Sequence, residues 1–141
     1  MEIFNIETYN DERADRFFDV FHFMDGQVTI SKIKQYQFSG WHMHKKQIDY
    51  FCVVKGNLDV YVIDLNGCLS ITTLSSTLPR SIKIEKGEIH SWKSNNEEAI
   101  LIYHLSRKHD ESDEYRFNRN EILNKTKPEF HSLIISIYND K

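Results

Sequence analysis

Short apolar runs separated by turn residues dominate the chain and predict an all-β protein. The runs are rich in Ile, Val, Phe, Tyr and Thr, and clusters of Gly, Asn, Asp and Ser lie between them. This is the pattern of a sandwich or barrel of antiparallel strands, whereas helical signals are weak. The predicted strands are Ile3 to Thr8, Phe17 to Phe23, Val28 to Phe38, Gln47 to Val54, Leu58 to Leu65, Leu69 to Leu74, Arg80 to Ile84, Glu88 to Lys93 and Ala99 to Ser106.

The character of the chain changes after Ser106. Residues 107–114 mix both signs of charge, which predicts a solvated loop. A further short strand is predicted in the C-terminal extension after Pro128, within Glu129 to Tyr138. This run and the N-terminal run are able to pair at sheet edges across a twofold axis, so we expect a homodimer.

Composition narrows the class of protein. A chain of 141 residues with 40% hydrophobic and 28% charged residues fits one domain, spanning residues 1–141. The net charge is −3 with mixed signs, so no nucleic-acid partner is expected. No apolar run approaches the roughly 18 residues of a membrane span. The first five residues lack a basic and apolar leader pattern, so we expect a cytoplasmic protein.

Two histidines spaced two apart give the strongest chemical signal. On a strand, alternate side chains share a face, so His42 and His44 should point one way and Trp41 and Met43 the other. The lysine pair that follows is interpreted as a bend that resets the alternation. Asp49 on the next strand can then join the two histidines.

A second piece of sequence brings a third histidine. Gly87-Glu88-Ile89-His90 places His90 at the start of a later strand, just after a tight turn. Three histidines and one carboxylate can therefore converge inside a barrel. Such a group suits either proton transfer or metal binding.

The spacing of these residues resembles the two motifs of the cupin superfamily. The first motif is H-x-H, four residues, an acid, six residues and Gly, and it is matched by His42, His44, Asp49 and Gly56. The second motif is P-x-G-x-x-H, matched by Gly87 and His90 with Glu85 in place of proline. The resemblance implies a double-stranded β-helix, the jelly-roll barrel of that superfamily.

The surrounding segments resemble the sugar-nucleotide branch of the cupins, the RmlC-like dTDP-4-dehydrorhamnose 3,5-epimerases and the related 3,4-ketoisomerases. They include Asp11-Glu12-Arg13, the run from Gly40 to Lys45, the run from Gln47 to Phe51, and Asp113-Glu114. The resemblance implies a nucleoside-diphosphate sugar as substrate, a role in polysaccharide or lipopolysaccharide biosynthesis, no cofactor, and a homodimer. Asp49 stands where epimerases have a catalytic lysine, and Ser39 stands where they have an arginine.

Three functional hypotheses follow. In the first, the protein isomerises or epimerises a 4-keto-6-deoxyhexose, with His42 or His44 as base, Asp49 orienting it, and His90 or Tyr36 as donor. Arg13, Gln47 and Tyr103 are then the predicted substrate-binding residues. In the second, His42, His44, Asp49 and His90 hold a divalent transition metal. In the third, the barrel binds a sugar nucleotide without catalysing a reaction.

Bland alternatives stand beside several of these roles. Arg13 is equally interpreted as a solvated loop residue, and Asp49 as a surface partner of the lysines at 45 and 46. Tyr36 and Tyr103 fit core tyrosines with satisfied hydroxyls. Because Tyr103 and His104 are adjacent on one predicted strand, only one of them can face the barrel interior.

Overall fold

Two antiparallel sheets form the protein. The computed structural model describes Met1, Asn5 and residues 7–19 and 24–139. The strands are β1 (Glu7–Asn10), β2 (Ala14–Phe18), β3 (Gln27–Ile33), β4 (Trp41–Met43), β5 (Asp49–Lys55), β6 (Asn57–Ile63), β7 (Leu69–Ser75), β8 (Ser81–Ile84), β9 (Ile89–Ser94), β10 (Ala99–Leu105) and β11 (Tyr115–Phe117). Helices α1 (Arg119–Lys125) and α2 (His131–Asn139) follow, with short 3-10 helices at Glu111–Asp113 and Pro128–Phe130.

The strand order is that of a jelly roll. One sheet has the order β1-β2-β3-β10-β5-β8, and the other has the order β11-β4-β9-β6-β7. Strands far apart in sequence are neighbours in both sheets, so connections cross repeatedly from one sheet to the other. The prediction of an all-β jelly roll with a short C-terminal extension is confirmed.

The inward positions of β3 and β10 change from apolar to polar along the barrel. At one end, Ile33 of β3 pairs with Ala99 of β10, and both are buried in the core between the sheets. At the other end, Thr29 pairs with Tyr103, and Gln27 pairs with Leu105. An inward-facing strand in a barrel normally carries apolar side chains. The polar end therefore marks a cavity, whereas the apolar end supplies the packed core.

A second apolar cluster covers the outer face of the five-stranded sheet. Trp41, Tyr61 and Ile63 on the strands pack with Ile122 of α1 and Ile134 of α2. Helix α1 begins at a capping box, in which the Asn118 side chain accepts from the N–H of Glu121 and the Glu121 carboxylate accepts from the N–H of Asn118. Both helices thus seal a sheet face that would otherwise expose aromatic and aliphatic side chains.

The prediction of a C-terminal strand within Glu129 to Tyr138 is wrong, because this run forms a short 3-10 turn followed by α2. Its buried or partly buried members Ile134, Ile137 and Tyr138 recur at the spacing of one helix face. Three consecutive apolar residues, Leu133 to Ile135, hid this spacing. The homodimer remains a prediction, and of the two runs expected to pair across a twofold axis only the N-terminal one still supports it.

The N-terminal predictions are shifted. The first strand among the described residues is β1, and positions 3, 4 and 6 of the run predicted from Ile3 to Thr8 lie outside the described residues. The strand predicted at Phe17 to Phe23 begins earlier, at Ala14, and ends at Phe18; positions 20–23 lie outside the described residues. Among the described residues, no helix is long and apolar enough to cross a membrane.

The packing of α2 predicts a contrast between two neighbouring isoleucines. Ile134 is fully buried and Ile135 is 36% exposed. Ile134→Ala should lower the free energy of unfolding by about 2–4 kcal/mol, because it leaves a cavity against the sheet. The control Ile135→Ala should change it by less than about 0.5 kcal/mol. Urea denaturation followed by circular dichroism measures both, and equal effects would contradict the packing of α2 described here.

Candidate metal centre

His42, His44, Asp49 and His90 meet inside the barrel. One ligand atom from each lies within 4.8 Å of the others. His42 on β4 is the register partner of His90 on β9, while Asp49 begins β5 in the opposite sheet. The predicted convergence of these four residues is thus present in the structure.

The alternation of β4 produces this arrangement. Trp41 and Met43 point away from the barrel, where they join the outer cluster with the helices. His42 points inward, and His44 follows on the same side just after the strand ends. The backbone N–H groups of Lys45 and Lys46 are then held at a bend, as predicted, before β5 begins.

Each histidine ring is oriented through Nδ1. Nδ1 of His44 lies 3.1 Å from the carbonyl oxygen of Asp113, Nδ1 of His90 lies 3.1 Å from that of Glu88, and Nδ1 of His42 lies 3.4 Å from that of Gly40. A carbonyl oxygen only accepts hydrogen bonds, so Nδ1 carries the proton in each ring. The lone pair of a neutral ring then sits on Nε2. In His44 and His90 this atom faces the Asp49 carboxylate.

The carboxylate of Asp49 lies between two of these nitrogens. Its Oδ2 atom is 3.2 Å from Nε2 of His90 and 3.7 Å from Nε2 of His44. The side-chain amide of Gln47 donates a hydrogen bond of 2.6 Å to Oδ1. Nε2 of His90 is buried and makes no hydrogen bond to any described residue. Neutral histidines would therefore aim lone pairs at a buried anion, and this arrangement calls for a cation.

Burial disfavours a proton as that cation. Burial lowers the pKa of His42 well below its usual value, and the neighbouring His90, His44 and Arg116 lower it further. Burial also lowers the pKa of His44, although Asp49 partly opposes the shift. Burial alone would raise the pKa of Asp49, but contact with His90, His44 and Gln47 outweighs it and lowers that pKa. These directions favour neutral rings at His42 and His44 beside an ionised carboxylate at Asp49.

The donor set fits a divalent transition metal. Three imidazole nitrogens and one carboxylate oxygen suit Mn, Fe, Co, Ni or Zn. Nδ1 hydrogen bonds to backbone carbonyls are the usual second contacts of metal-binding histidines. Asp49 and His90 are nearly inaccessible to solvent, while His42 is partly exposed. His42, His44 and Asp49 also line the adjoining cavity, which gives a ligand one side of approach.

The cavity next to this group has a volume of about 600 Å³, within the range of small-molecule sites. Its far wall is polar, because Thr29 and Ser31 of β3 hydrogen-bond the hydroxyl of partly buried Tyr103. Burial raises the pKa of Tyr103, so its hydroxyl stays protonated. Neighbouring His104 faces outward, where Nε2 meets the carbonyl oxygen of Asp25. This confirms that only one of the two adjacent side chains faces inward.

The three predicted substrate-binding residues all line the cavity, but their contacts differ. Arg13 lies at the cavity with its guanidinium near Asp11 and the carbonyl of Ser39. Gln47 lines the cavity, and its amide also orients Asp49. Tyr103 lies in the cavity wall.

The prediction that Tyr36 belongs to this site is wrong. The strand predicted from Val28 to Phe38 ends at Ile33, and Tyr36 lies in the following turn with a φ of 56°. Its side chain is 56% exposed and lines a separate depression with Asp59 and Asn96.

Sequence reasoning missed several residues of the site. Arg16 faces the cavity from β2, opposite Ser31 of β3, and its guanidinium is held by Asp11 at 3.1 Å. The alternation of Thr29, Ser31 and Ile33 within one predicted strand was the available signal, because two inward positions are polar. Asp113 was assigned to a solvated loop, yet it is only 3% exposed.

The fold and site define a cupin-type jelly roll with a histidine and carboxylate cluster. No protein-family model matches the sequence, and no curated protein sequence matches it. Solved structures are similar in fold at low identity. CapF, a capsular polysaccharide assembling protein from Staphylococcus aureus, matches with a TM-score of 0.71 and 18% identity over 82% of this chain and 32% of its own. Oxalate decarboxylase from Bacillus subtilis matches with a TM-score of 0.70 and 12% identity over 92% of this chain and 37% of its own.

A third similar structure is the CENP-C cumin domain of Drosophila melanogaster, with a TM-score of 0.62 and 16% identity over 72% of each chain. This chain spans about a third of the length of CapF and of oxalate decarboxylase. The comparisons therefore establish the cupin fold, which is shared by proteins of different function.

The carboxylate that holds Arg16 predicts a pH-dependent contribution to stability. Burial would raise the pKa of Asp11, but N–H donors from Arg13 and Ala14 and the charge of Arg16 outweigh it and hold that pKa below its usual range. A carboxylate with a depressed folded-state pKa stabilises the fold above its unfolded value, about 3.9, and loses this contribution as the pH falls through the folded value.

Asp11→Asn should therefore destabilise the protein at pH 5–7, and the difference from wild type should shrink below about pH 4. Urea denaturation between pH 3 and pH 7 measures this difference. Asp15→Asn is the matched control, because Asp15 lies four residues away on β2 and makes no ion pair among the described residues. A pH-independent effect of Asp11→Asn would argue against the carboxylate interaction.

Proposed function

We propose that this chain is a divalent-metal cupin that acts on a small, oxygen-rich substrate in the cavity beside His42. The observation that carries the proposal is the convergence of one ring nitrogen from each of three histidines with the buried carboxylate of Asp49, while Nδ1 of each ring faces a carbonyl. His42, His44, Asp49 and His90 would hold the metal. A bound divalent metal supplies a Lewis acid for a carbonyl or hydroxyl oxygen.

The cavity supports a substrate with hydroxyl or carbonyl groups and a negative charge. The hydroxyls of Thr29, Ser31 and Tyr103 form a polar wall that suits oxygen substituents. Arg16 is 15% exposed, and a guanidinium has five N–H donors suited to carboxylate or phosphate. The names of the similar structures agree with this chemistry, since one assembles a polysaccharide and another is named for decarboxylating oxalate.

A second candidate is the nucleotide-sugar isomerase or epimerase suggested by the sequence resemblance. The observation that favours it is His42, which is neutral because its pKa is lowered and which lines the cavity. A neutral imidazole can accept the proton α to a ketone. The protonated hydroxyl of Tyr103 on the far wall is then the donor in place of Tyr36.

Metal content tests the first candidate. Purified protein reconstituted separately with Mn, Fe, Co, Ni and Zn should hold one equivalent of at least one of these metals per chain, measured by elemental analysis after desalting. Saturation at about 100 times the Kd should raise the free energy of unfolding by about 2.7 kcal/mol. His90→Ala should abolish both effects. His104→Ala is the control, because that ring faces outward and should leave metal binding unchanged. Wild-type protein that retains none of these metals would contradict the proposal.

Solvent exchange tests the second candidate. Protein incubated in D2O with dTDP-4-keto-6-deoxyglucose should introduce deuterium next to the ketone, as detected by mass spectrometry. His42→Gln should abolish the exchange, because it removes the base while retaining a polar side chain of similar size. Exchange by metal-free protein would favour proton transfer without a metal. Tight binding of the sugar nucleotide with no exchange would instead favour a binding module.

A further inference from the structure

The connection between β10 and β11, residues 106–114, carries a buried carboxylate that no functional hypothesis uses. We call this connection the β10–β11 loop. Asp113 is only 3% exposed, although the loop around it is rich in exposed charged residues. A buried carboxylate is costly unless hydrogen bonds satisfy its oxygens. The hydrogen-bond partners of Asp113 therefore indicate which part of the structure it stabilises.

Both oxygens of the Asp113 side chain accept backbone hydrogen bonds at the bend after His44. The N–H of Lys45 donates to Oδ1 and the N–H of Lys46 donates to Oδ2, each over 3.1 Å. The main-chain carbonyl of the same residue faces Nδ1 of His44 at 3.1 Å. One residue thus fixes both the backbone that follows His44 and the ring of His44.

We propose that Asp113 is the positioning residue of His44, which it aims at Asp49 by clamping the 45–46 bend and by accepting a hydrogen bond from Nδ1–H at its main-chain carbonyl. This inference rests on the proposed metal site, because the orientation of Nε2 matters most when that atom is a ligand. The side chain of Lys45 at this bend lies over the ring of Tyr115, with Nζ 4.5 Å from the centroid, whereas the backbone N–H groups of the bend are held by Asp113. The clamp comes from a segment 68 residues away in sequence.

The β10–β11 loop also forms one side of the cavity. His109, Glu111 and Glu114 line it. The backbone N–H of His109 donates a hydrogen bond to the side chain of Gln27, the first residue of β3. A ligand that contacts these residues therefore touches the segment that orients His44. The positioning residue links the wall of the cavity to one member of the metal-binding group.

The test is Asp113→Asn, which has the same size but places an amide NH2 opposite a backbone N–H. The matched control is Asp110→Asn in the same loop. Asp110 caps the 3-10 helix through Oδ1, which accepts from both the N–H and the hydroxyl of Ser112. Asparagine retains that oxygen, so the control loses the same charge without losing its contacts.

Titration with Co²⁺ measures the effect on the metal site. Asp113→Asn should weaken Co²⁺ binding about 10- to 100-fold, the usual effect of losing a residue that orients a ligand. It should also change the visible absorption band of the bound ion, which reports ligand geometry. Asp110→Asn should bind like wild type. Unchanged affinity and spectrum in Asp113→Asn would overturn the inference.

A measurement without metal separates this inference from the proposed function. Nitrogen NMR of the metal-free protein should show His44 as the Nδ1–H tautomer in wild type and as a mixture in Asp113→Asn. If wild type binds no metal, the proposed function fails, and the tautomer alone decides the inference. An unchanged tautomer would overturn it. If Asp113→Asn does not fold, Asp113→Glu replaces it, because glutamate keeps the charge but displaces the carboxylate by one methylene.

Discussion

The buried carboxylate of Asp49 imposes the constraint around which the polar half of this barrel is organised. An ionised carboxylate inside a protein must be compensated by hydrogen bonds or by positive charge. Gln47 supplies one hydrogen bond, and the two nearest nitrogens belong to His44 and His90. Burial lowers the pKa of the His44 ring, so compensation by protons is costly. In the proposed metal centre, a divalent ion would provide the missing charge without protonating any ring.

The apolar half of the barrel offsets the cost of this polar group. Each of β3, β5 and β10 contributes to both halves, because every second residue of a strand faces inward and these inward positions run from one end of the barrel to the other. In β5, for example, Val53 packs in the core and Asp49 lies in the site, with Phe51 between them. A site built on strands of a packed sheet is held more precisely than one built on loops alone. His42, Asp49 and His90 are positioned in this way by β4, β5 and β9. His44 lies just after β4 and is instead held by the β10–β11 loop.

The parts of the structure that follow local alternation were predictable from the sequence. His42 and Trp41 fall on opposite faces of β4 because successive strand residues do so, and this placed the histidine pair inside. Tyr36 escaped the same reasoning because a positive φ in a turn ended its strand early. The helical face of α2 was missed because three consecutive apolar residues at 133–135 fit a buried strand as well as a helix.

Long-range contacts were beyond such reasoning. Local sequence marks residues 107–114 as a solvated loop, and nothing within that segment indicates that Asp113 reaches the bend after His44. The sequence shows that Thr29 and Ser31 on β3 are polar. Their role in the cavity wall depends on Tyr103 of β10, which pairs with Thr29 and is hydrogen-bonded by both side chains. Alternation predicts which way a side chain points, and only the pairing of distant strands determines what it meets.

In the proposed function, the chemistry of the cavity depends on two parts of its wall acting together. The histidine and carboxylate group defines one end, and the pair of Asp11 and Arg16 defines another part of the wall. Asp11 partly neutralises the guanidinium, which lowers its attraction for small inorganic anions but leaves N–H donors for a geometrically matched group. A substrate would then be discriminated by the distance between its charged group and its reacting oxygen. The same fold with a differently lined cavity would select other substrates, because a fold alone does not determine function.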